Sequence, residues 1–289
     1  METSELLKKV RRIEIKTRGL SRNIFAGQYH SAFKGRGMAF SEVREYQYGD
    51  DVRDIDWNVT ARHNKAYIKV FEEERELTSM LLIDVSNSLG FGSVNMLKRD
   101  CVTEIAATLA FSAIQNNDKI GVIFFSDKIE KFIPPKKGKK HILFIIRELI
   151  NFEADNSRTD LQMVLKYLTN VIKKRCTAFV ISDFIDNKEF KDALTIANRK
   201  HDIVAVQVYD KLETSLPNVG LMKVEDSENG AERWIDTSSK KVRSHYEKWW
   251  NTRQTKMLDS FNRSRVDSVS VRTDEDYVKA LLLLFKKRS

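Results

Sequence analysis

From about Thr78 onward the chain alternates short apolar runs with longer segments of helical periodicity, and no other feature constrains its fold as tightly. Ser79–Asp84 (SMLLID), Ile120–Phe125 (IGVIFF), Ala178–Ser182 (AFVIS) and Ile203–Tyr209 (IVAVQVY) are short, largely apolar runs. A strand with one wet face alternates apolar and polar residues, whereas a continuous apolar run suits a parallel strand covered on both faces. Helices are predicted between these runs at Met96–Gln115, His141–Asn151, Asp160–Lys173 and Lys188–Arg199. The first places Leu97, Cys101, Ile105, Thr108 and Ser112 on or near one face. Two more strands, Leu221–Glu225 and Glu232–Asp236, flank Ser227–Gly230, where Asn229-Gly230 signals a hairpin. A long helix over Ser239–Ser264, a strand over Val266–Val271 and a helix over Asp274–Lys287, capped by Thr273, complete the pattern. The expected class is α/β, a doubly wound, mostly parallel, Rossmann-like sheet with helices on both faces.

The segment before about Arg75 reads differently, so residues 1–75 are expected to form an N-terminal extension and residues 76–289 the α/β unit. Glu5–Thr17 suits a helix, Gly27–Phe40 a loop and Tyr67–Phe71 a strand. Asp54-x-Asp56-x-Asn58 begins like a calcium loop, but Val59 stands where such a loop needs Gly and Lys65 where it needs a bidentate Glu. Asp50, Asp51, Asp54 and Asp56 are instead expected to pair with Arg44, Arg53 and Arg62.

Composition removes several classes. Two cysteines, Cys101 and Cys176, make neither a disulfide framework nor a zinc site and read as buried thiols in a reducing compartment. Met1–Arg22 is polar and basic without the apolar core of a signal peptide, and the longest apolar runs, such as Ala280–Phe285, are too short to span a bilayer. These features predict a cytoplasmic protein. The formal net charge is +9, but its basic clusters at Lys8–Arg12, Lys136–Lys140, Lys173–Arg175 and Lys286–Arg288 are scattered, as solvated surface charge is.

The strongest chemical signal is Asp84-Val85-Ser86-Asn87-Ser88, directly after the SMLLI run. The carboxyl ends of strands in a doubly wound sheet open onto its ligand crevice. Alternate residues of a tight loop can point the same way, so Asp84, Ser86 and Ser88 can converge. A carboxylate and two hydroxyls are hard oxygen donors suited to Mg²⁺ or another hard divalent cation. Thr159 lies before a predicted helix and Asp183 follows the AFVIS run. If the sheet order reverses beside the Asp84 strand, Asp183 faces the same crevice. Both residues also have a plainer reading as helix caps.

Asp84-x-Ser86-x-Ser88, then Thr159, then Asp183 resembles the metal-ion-dependent adhesion site of von Willebrand factor A domains, over about Thr78–Val271. In that family the serines and threonine ligate the ion directly or through water, and the aspartates often act through water. Ser31–Gly37, Val43–Tyr46, Tyr48–Asp51, Arg53–Trp57 and Thr60–Arg62 further resemble the block that precedes such a unit in the bacterial domain-of-unknown-function 58 family. That resemblance implies a partner of the MoxR-type AAA+ ATPase class.

The expected function is therefore a Mg²⁺-dependent protein-interaction module, an accessory or adaptor protein with no catalytic constellation, held to its partner by an acidic side chain that completes the ion's coordination. Two other classes stay open: a basic nucleic-acid binder with a structural α/β unit, and a metal-dependent phosphohydrolase. Against catalysis, the chain has no GxxxxGK[ST] loop, no HExxH and no GxSxG elbow. The Tyr246–Trp250 cluster reads as helix packing rather than a base-stacking platform.

Overall fold

The computed structural model describes residues 11, 13, 39–63, 65–72, 77–93, 96–152, 158–186, 188–225 and 231–288. Apart from Arg11 and Ile13, the expected helix at Glu5–Thr17 lies outside them, as do most of Gly27–Phe40 and the turn around Asn229-Gly230. The chain divides into a small unit within residues 34–77 and a large one that contains residues 78–289.

In the small unit β1 (Ala39–Glu45) pairs antiparallel with β2 (Tyr67–Glu72), with a register shift between Phe40 and Glu42. The expected loop thus gives way to a strand at Ala39. Helix α1 (Trp57–His63) starts where Asp56 Oδ1 accepts from the N–H groups of Asn58 and Val59. Among the expected acid–arginine pairs, Arg44 grips Asp50 with two bonds of 2.9 and 2.7 Å. Asp51 instead accepts from Arg53 N, and Asp56 pairs with Lys69 at 3.7 Å. These acids are spent mainly on closing backbone turns, a use that short polar side chains serve well.

The large unit is built on a six-stranded sheet. Its strands are β3 (Thr78–Asp84), β4 (Lys119–Phe125), β5 (Ile129–Lys136), β6 (Thr177–Ser182), β7 (Asp202–Tyr209) and, after the separate hairpin of β8 (Leu221–Glu225) and β9 (Glu232–Asp236), β10 (Asp267–Arg272). The order across the sheet is β10-β7-β6-β3-β4-β5, parallel except for β5. The doubly wound, mostly parallel sheet expected from the apolar runs is present. From β3 the chain first builds outward to β4 and β5, then returns to β3's other side with β6 and continues to β7 and β10. The order therefore reverses at β3, where Ile83 sits beside Ile181 of β6.

Strand β5 has no counterpart in the expectations. Its sequence, IEKFIPPK, mixes charge with two prolines, which only an edge strand tolerates. It lies so close to β4 that a Cβ on Gly121 would come within 2.9 Å of Ile133 O and Pro135 N. The absence of a side chain at Gly121 is what admits the edge strand.

Eight helices can be named among the described residues. After α1 come α2 (Lys98–Gln115), α3 (Lys139–Asn151), α4 (Leu161–Val171), α5 (Lys191–Lys200), α6 (Lys211–Thr214), α7 (Lys240–Arg263) and α8 (Tyr277–Arg288). On one side of the sheet Met80, Leu82, Ile123, Val180 and Ala205 pack with Leu161, Val164, Leu165 and Leu168 of α4, Leu194 of α5 and Phe261 of α7.

Helix α2 is buried nearly all round rather than on one face, although Leu97, before its first turn, is exposed. Small residues make this possible. Its hydroxyls also fold back onto the preceding turn, Thr103 to Arg99 O, Thr108 to Glu104 O and Ser112 to Thr108 O, so no polar group is stranded.

At the C-terminus Thr273 does not cap the last helix. Its hydroxyl donates to Asp210 Oδ2, and Asp276 Oδ1 accepts from Val278 N at the start of α8. Trp250 on α7 is buried and packs 5.8 Å from the ring of Tyr209, as helix packing requires, while Trp249 is exposed with Arg253 over its ring. No described helix is long and apolar enough to cross a membrane.

Candidate metal centre

Asp84, Ser86, Ser88, Thr159 and Asp183 come together at the carboxyl ends of β3 and β6, at the reversal of strand order. All five are buried, between 1% and 8% exposed. Asp84 ends β3, and its Oδ1 accepts from Ser86 N at 2.9 Å. That bond turns the chain directly into a short 3-10 turn over Asn87–Gly90, where Ser86 is positioned as a cap but its side chain makes no capping bond. The hydroxyl is left for the crevice, where Ser86 Oγ lies 3.0 Å from Ser88 Oγ.

Thr159 reaches the same point from another loop. Its hydroxyl donates to Asp84 Oδ2 at 3.3 Å. The loop is pinned by Asp160 N to Ser126 O at the end of β4, and by Leu161 N to Asp186 Oδ2. Asp160, not Thr159, caps α4 by accepting from Met163 N, so the cap reading of Thr159 does not hold. Asp183 likewise caps no helix. Its Oδ1 accepts from Ile185 N in a local turn, well before α5. The next residue, Phe184, has φ 55°, a left-handed conformation disfavoured for a bulky side chain. Phe184 N donates to Ser182 Oγ, and the Phe184 ring packs edge-on to Phe261 at 5.0 Å. Packing and hydrogen bonding thus hold a strained kink immediately after a candidate ligand.

Three participants carry no signal as a sequence pattern. Ser182 donates to Asp84 Oδ2 at 2.6 Å. Lys98, the first residue of α2, is fully buried and donates to Asp183 Oδ2 at 2.9 Å and to Glu213 Oε1 at 2.6 Å. A lysine followed by arginine and aspartate reads as a wet helix start, and nothing in the local pattern marks it as internal. Glu213 lies in α6, distant in sequence.

The electrostatics separate the two aspartates. Burial, followed by the nearby charge of Asp183, pushes Asp84 up to about 6, against the donors from Ser182 and Ser86. Burial also acts upward on Asp183, but the Lys98 ammonium outweighs it, with help from Ser88 and Ile185 N, and holds this carboxyl below its ordinary value. Of two like charges in one dry crevice, the one without an ammonium is the one whose affinity for a proton rises. Lys98 is itself opposed by burial and held above its ordinary value by Asp183 and Glu213.

The donor set fits a hard divalent cation. It offers two carboxylates and three hydroxyls with no sulfur or imidazole, and it concentrates negative charge that the protein only partly neutralises.

The parallel sheet reversing at β3 and its antiparallel edge strand give the chain a von Willebrand A-like α/β fold. The chain belongs to the family described as "Protein of unknown function DUF58", whose family model matches residues 42–256. "Uncharacterized protein Mb1516" of Mycobacterium bovis is 25% identical over 290 residues, covering 100% of this chain and 91% of its own. Among solved structures, an aerotolerance-related membrane protein from Bacteroides fragilis with multiple mutations to serines superposes with a TM-score of 0.51 at 13% identity, over 73% of this chain and 99% of that one. This likeness concerns the fold alone. The VWA domain of SpRpn10 also matches, at 10% identity over 72% and 94% of the two chains, with a TM-score of 0.39 too loose to bear on the site.

Proposed function

We propose that the chain is a Mg²⁺-dependent protein-interaction module that serves in the cytoplasm as an accessory or adaptor for a MoxR-type AAA+ ATPase or for a client of one. The observation that supports this most is the meeting of Asp84, Ser86, Ser88, Thr159 and Asp183, all buried, where the order of the six-stranded sheet reverses. Ser86, Ser88 and Thr159 would hold the ion, with Asp84 and Asp183 beside it directly or through water. Bound there, the ion supplies an electrophilic position to which an oxygen ligand from outside the chain can attach. Neutral hydroxyls withdraw little of its charge, so an aspartate or glutamate of a partner is the complementary group. In this reading residues 1–75 are the family's extension and residues 76–289 carry the metal site.

The test is affinity capture in Mg²⁺ and in EDTA, followed by binding to the purified ATPase at fixed ionic strength. Changing Ser86 and Ser88 together to Ala should speed dissociation and weaken binding by about tenfold or more, the effect of losing a contact worth at least ~1.4 kcal/mol. Added salt should instead slow association, because it screens the long-range field of a chain with net charge +9. Affinity indifferent to EDTA and to the double serine change would remove the ion from the interface. The exposed Trp249 beneath Arg253 supports nucleic-acid binding as the second reading. Steep salt dependence of oligonucleotide binding without any effect of EDTA would favour it.

A further inference from the structure

We propose that Lys98 is an internal counter-charge that limits how tightly the site holds its divalent ion, and that Glu213 sets how much of that charge reaches Asp183. This deepens the metal-dependent reading above and rests on it. Lys98 is fully buried and bridges a carboxylate of the candidate site to one outside it, at 2.9 and 2.6 Å. Its position is costly. It opens an 18-residue helix, where the peptide dipoles disfavour a cation, and it is withdrawn from water. A purely packing role would be met at less cost by an apolar side chain.

The surroundings fix the ammonium rather than letting it wander. Lys98 N donates to Phe91 O, which ties the start of α2 to the end of the Ser86–Ser88 turn. Glu213 is clamped from its other oxygen, since Oε2 accepts from Asp210 N at 2.7 Å. Asp210 in turn accepts from Ser93 N, Leu212 N and Thr273 Oγ1 at 2.9, 2.9 and 2.7 Å. Lys98 therefore cannot follow Asp183 without breaking its bond to a braced partner.

The charge balance gives this arrangement a consequence for the ion. Once an arriving divalent ion has displaced any proton from these carboxyls, Asp84, Asp183 and Glu213 face the one ammonium of Lys98, which leaves two negative charges, the complement of that ion. An ion neutralised by its own site, but no more than neutralised, remains attractive to an acidic partner. Without Lys98 the site would hold the ion more firmly and repel that acid. Lys98 is a positioning residue here: it keeps Asp183 Oδ2 engaged and acts on the ion through Asp183.

The experiment is calorimetric titration of Mg²⁺ into the full chain, wild type and variants, with far-UV circular dichroism as the check on folding. Lys98→Met should tighten Mg²⁺ binding by about tenfold or more, and Glu213→Gln should weaken it by roughly threefold to tenfold, because unit charges a few ångströms apart in a protein interact by at least that much. Opposite signs are the signature, since loosening a structural ion cluster would weaken binding in both. Glu213→Gln keeps the shape of the clamp and decides the matter by itself if Lys98→Met does not fold. Unchanged affinity in Glu213→Gln, or weaker binding in folded Lys98→Met, would overturn the proposal while leaving the metal reading in place. A wild-type chain that takes up no Mg²⁺ would overturn both.

Discussion

Changing Asp84 to Asn is expected to abolish the stabilisation of the protein by Mg²⁺. An ion present at about 100 times its dissociation constant stabilises the folded chain by roughly 2.7 kcal/mol, and the variant should lose essentially all of it. The amide keeps the shape of the carboxylate and one acceptor for Ser86 N, so the fold should persist. Without metal the sign reverses. The Asp84 carboxyl is raised from 3.8 to about 6, so its contribution to stability is full below 3.8 and is lost as pH rises through about 6. At pH 8 in EDTA the Asn variant should therefore be at least as stable as wild type, whereas in Mg²⁺ it should be the less stable of the two. Thermal unfolding of both proteins at pH 8, with and without Mg²⁺, measures the crossing. Equal Mg²⁺-induced shifts in the two proteins would count against Asp84 as part of a metal site.

A second large effect is expected far from the crevice, at His201. This residue ends α5, is fully buried, and turns Nδ1 toward Cys176 Sγ at 3.3 Å. Its Nε2 has no hydrogen-bond partner. Burial, with smaller help from Lys200 and Arg175, lowers the imidazole from 6.5 to about 4. A lowered histidine value means that the unfolded chain takes up the proton first. Its contribution to stability is complete above pH 6.5 and disappears as pH falls through about 4. A shift of this size corresponds to a loss of roughly 3 kcal/mol over that window. Urea unfolding at pH 7 and pH 4 should show a loss larger by about this amount in wild type than in His201→Gln, which cannot titrate. Parallel pH profiles would mean that the ring accepts its proton in the folded state.

Much of this architecture is legible in the sequence because parallel strands buried on both faces are written as continuous apolar runs. SMLLID, IGVIFF, AFVIS and IVAVQVY became β3, β4, β6 and β7, with ends shifted by at most a residue or so. Strand β5 was illegible for the complementary reason. An edge strand needs little apolar pattern, and Pro134 and Pro135 argue against a strand unless its edge position is already known. The start of α8 was misplaced because Thr273 and Asp276 are both plausible caps, and only the tertiary fold directs the Thr273 hydroxyl to Asp210.

The candidate site divides along the same line. Asp84, Ser86 and Ser88 lie within one loop, and Thr159 and Asp183 stand at element ends that the pattern already locates, so their convergence follows from the sheet order. Lys98 and Glu213 are 115 residues apart and meet only because α2 and α6 approach the same crevice. A buried lysine has no sequence pattern of its own: what identifies it is the pair of carboxylates that the fold brings to it.

The proposed function requires a divalent ion held by the hydroxyls of Ser86, Ser88 and Thr159 beside Asp84 and Asp183. The most direct measurement is anomalous X-ray scattering from crystals of the full chain grown with Mn²⁺ in place of Mg²⁺. An anomalous peak is expected among these five side chains, lost when Ser86 and Ser88 are both changed to Ala. A map without a peak there, or a peak that survives the double change, would contradict it.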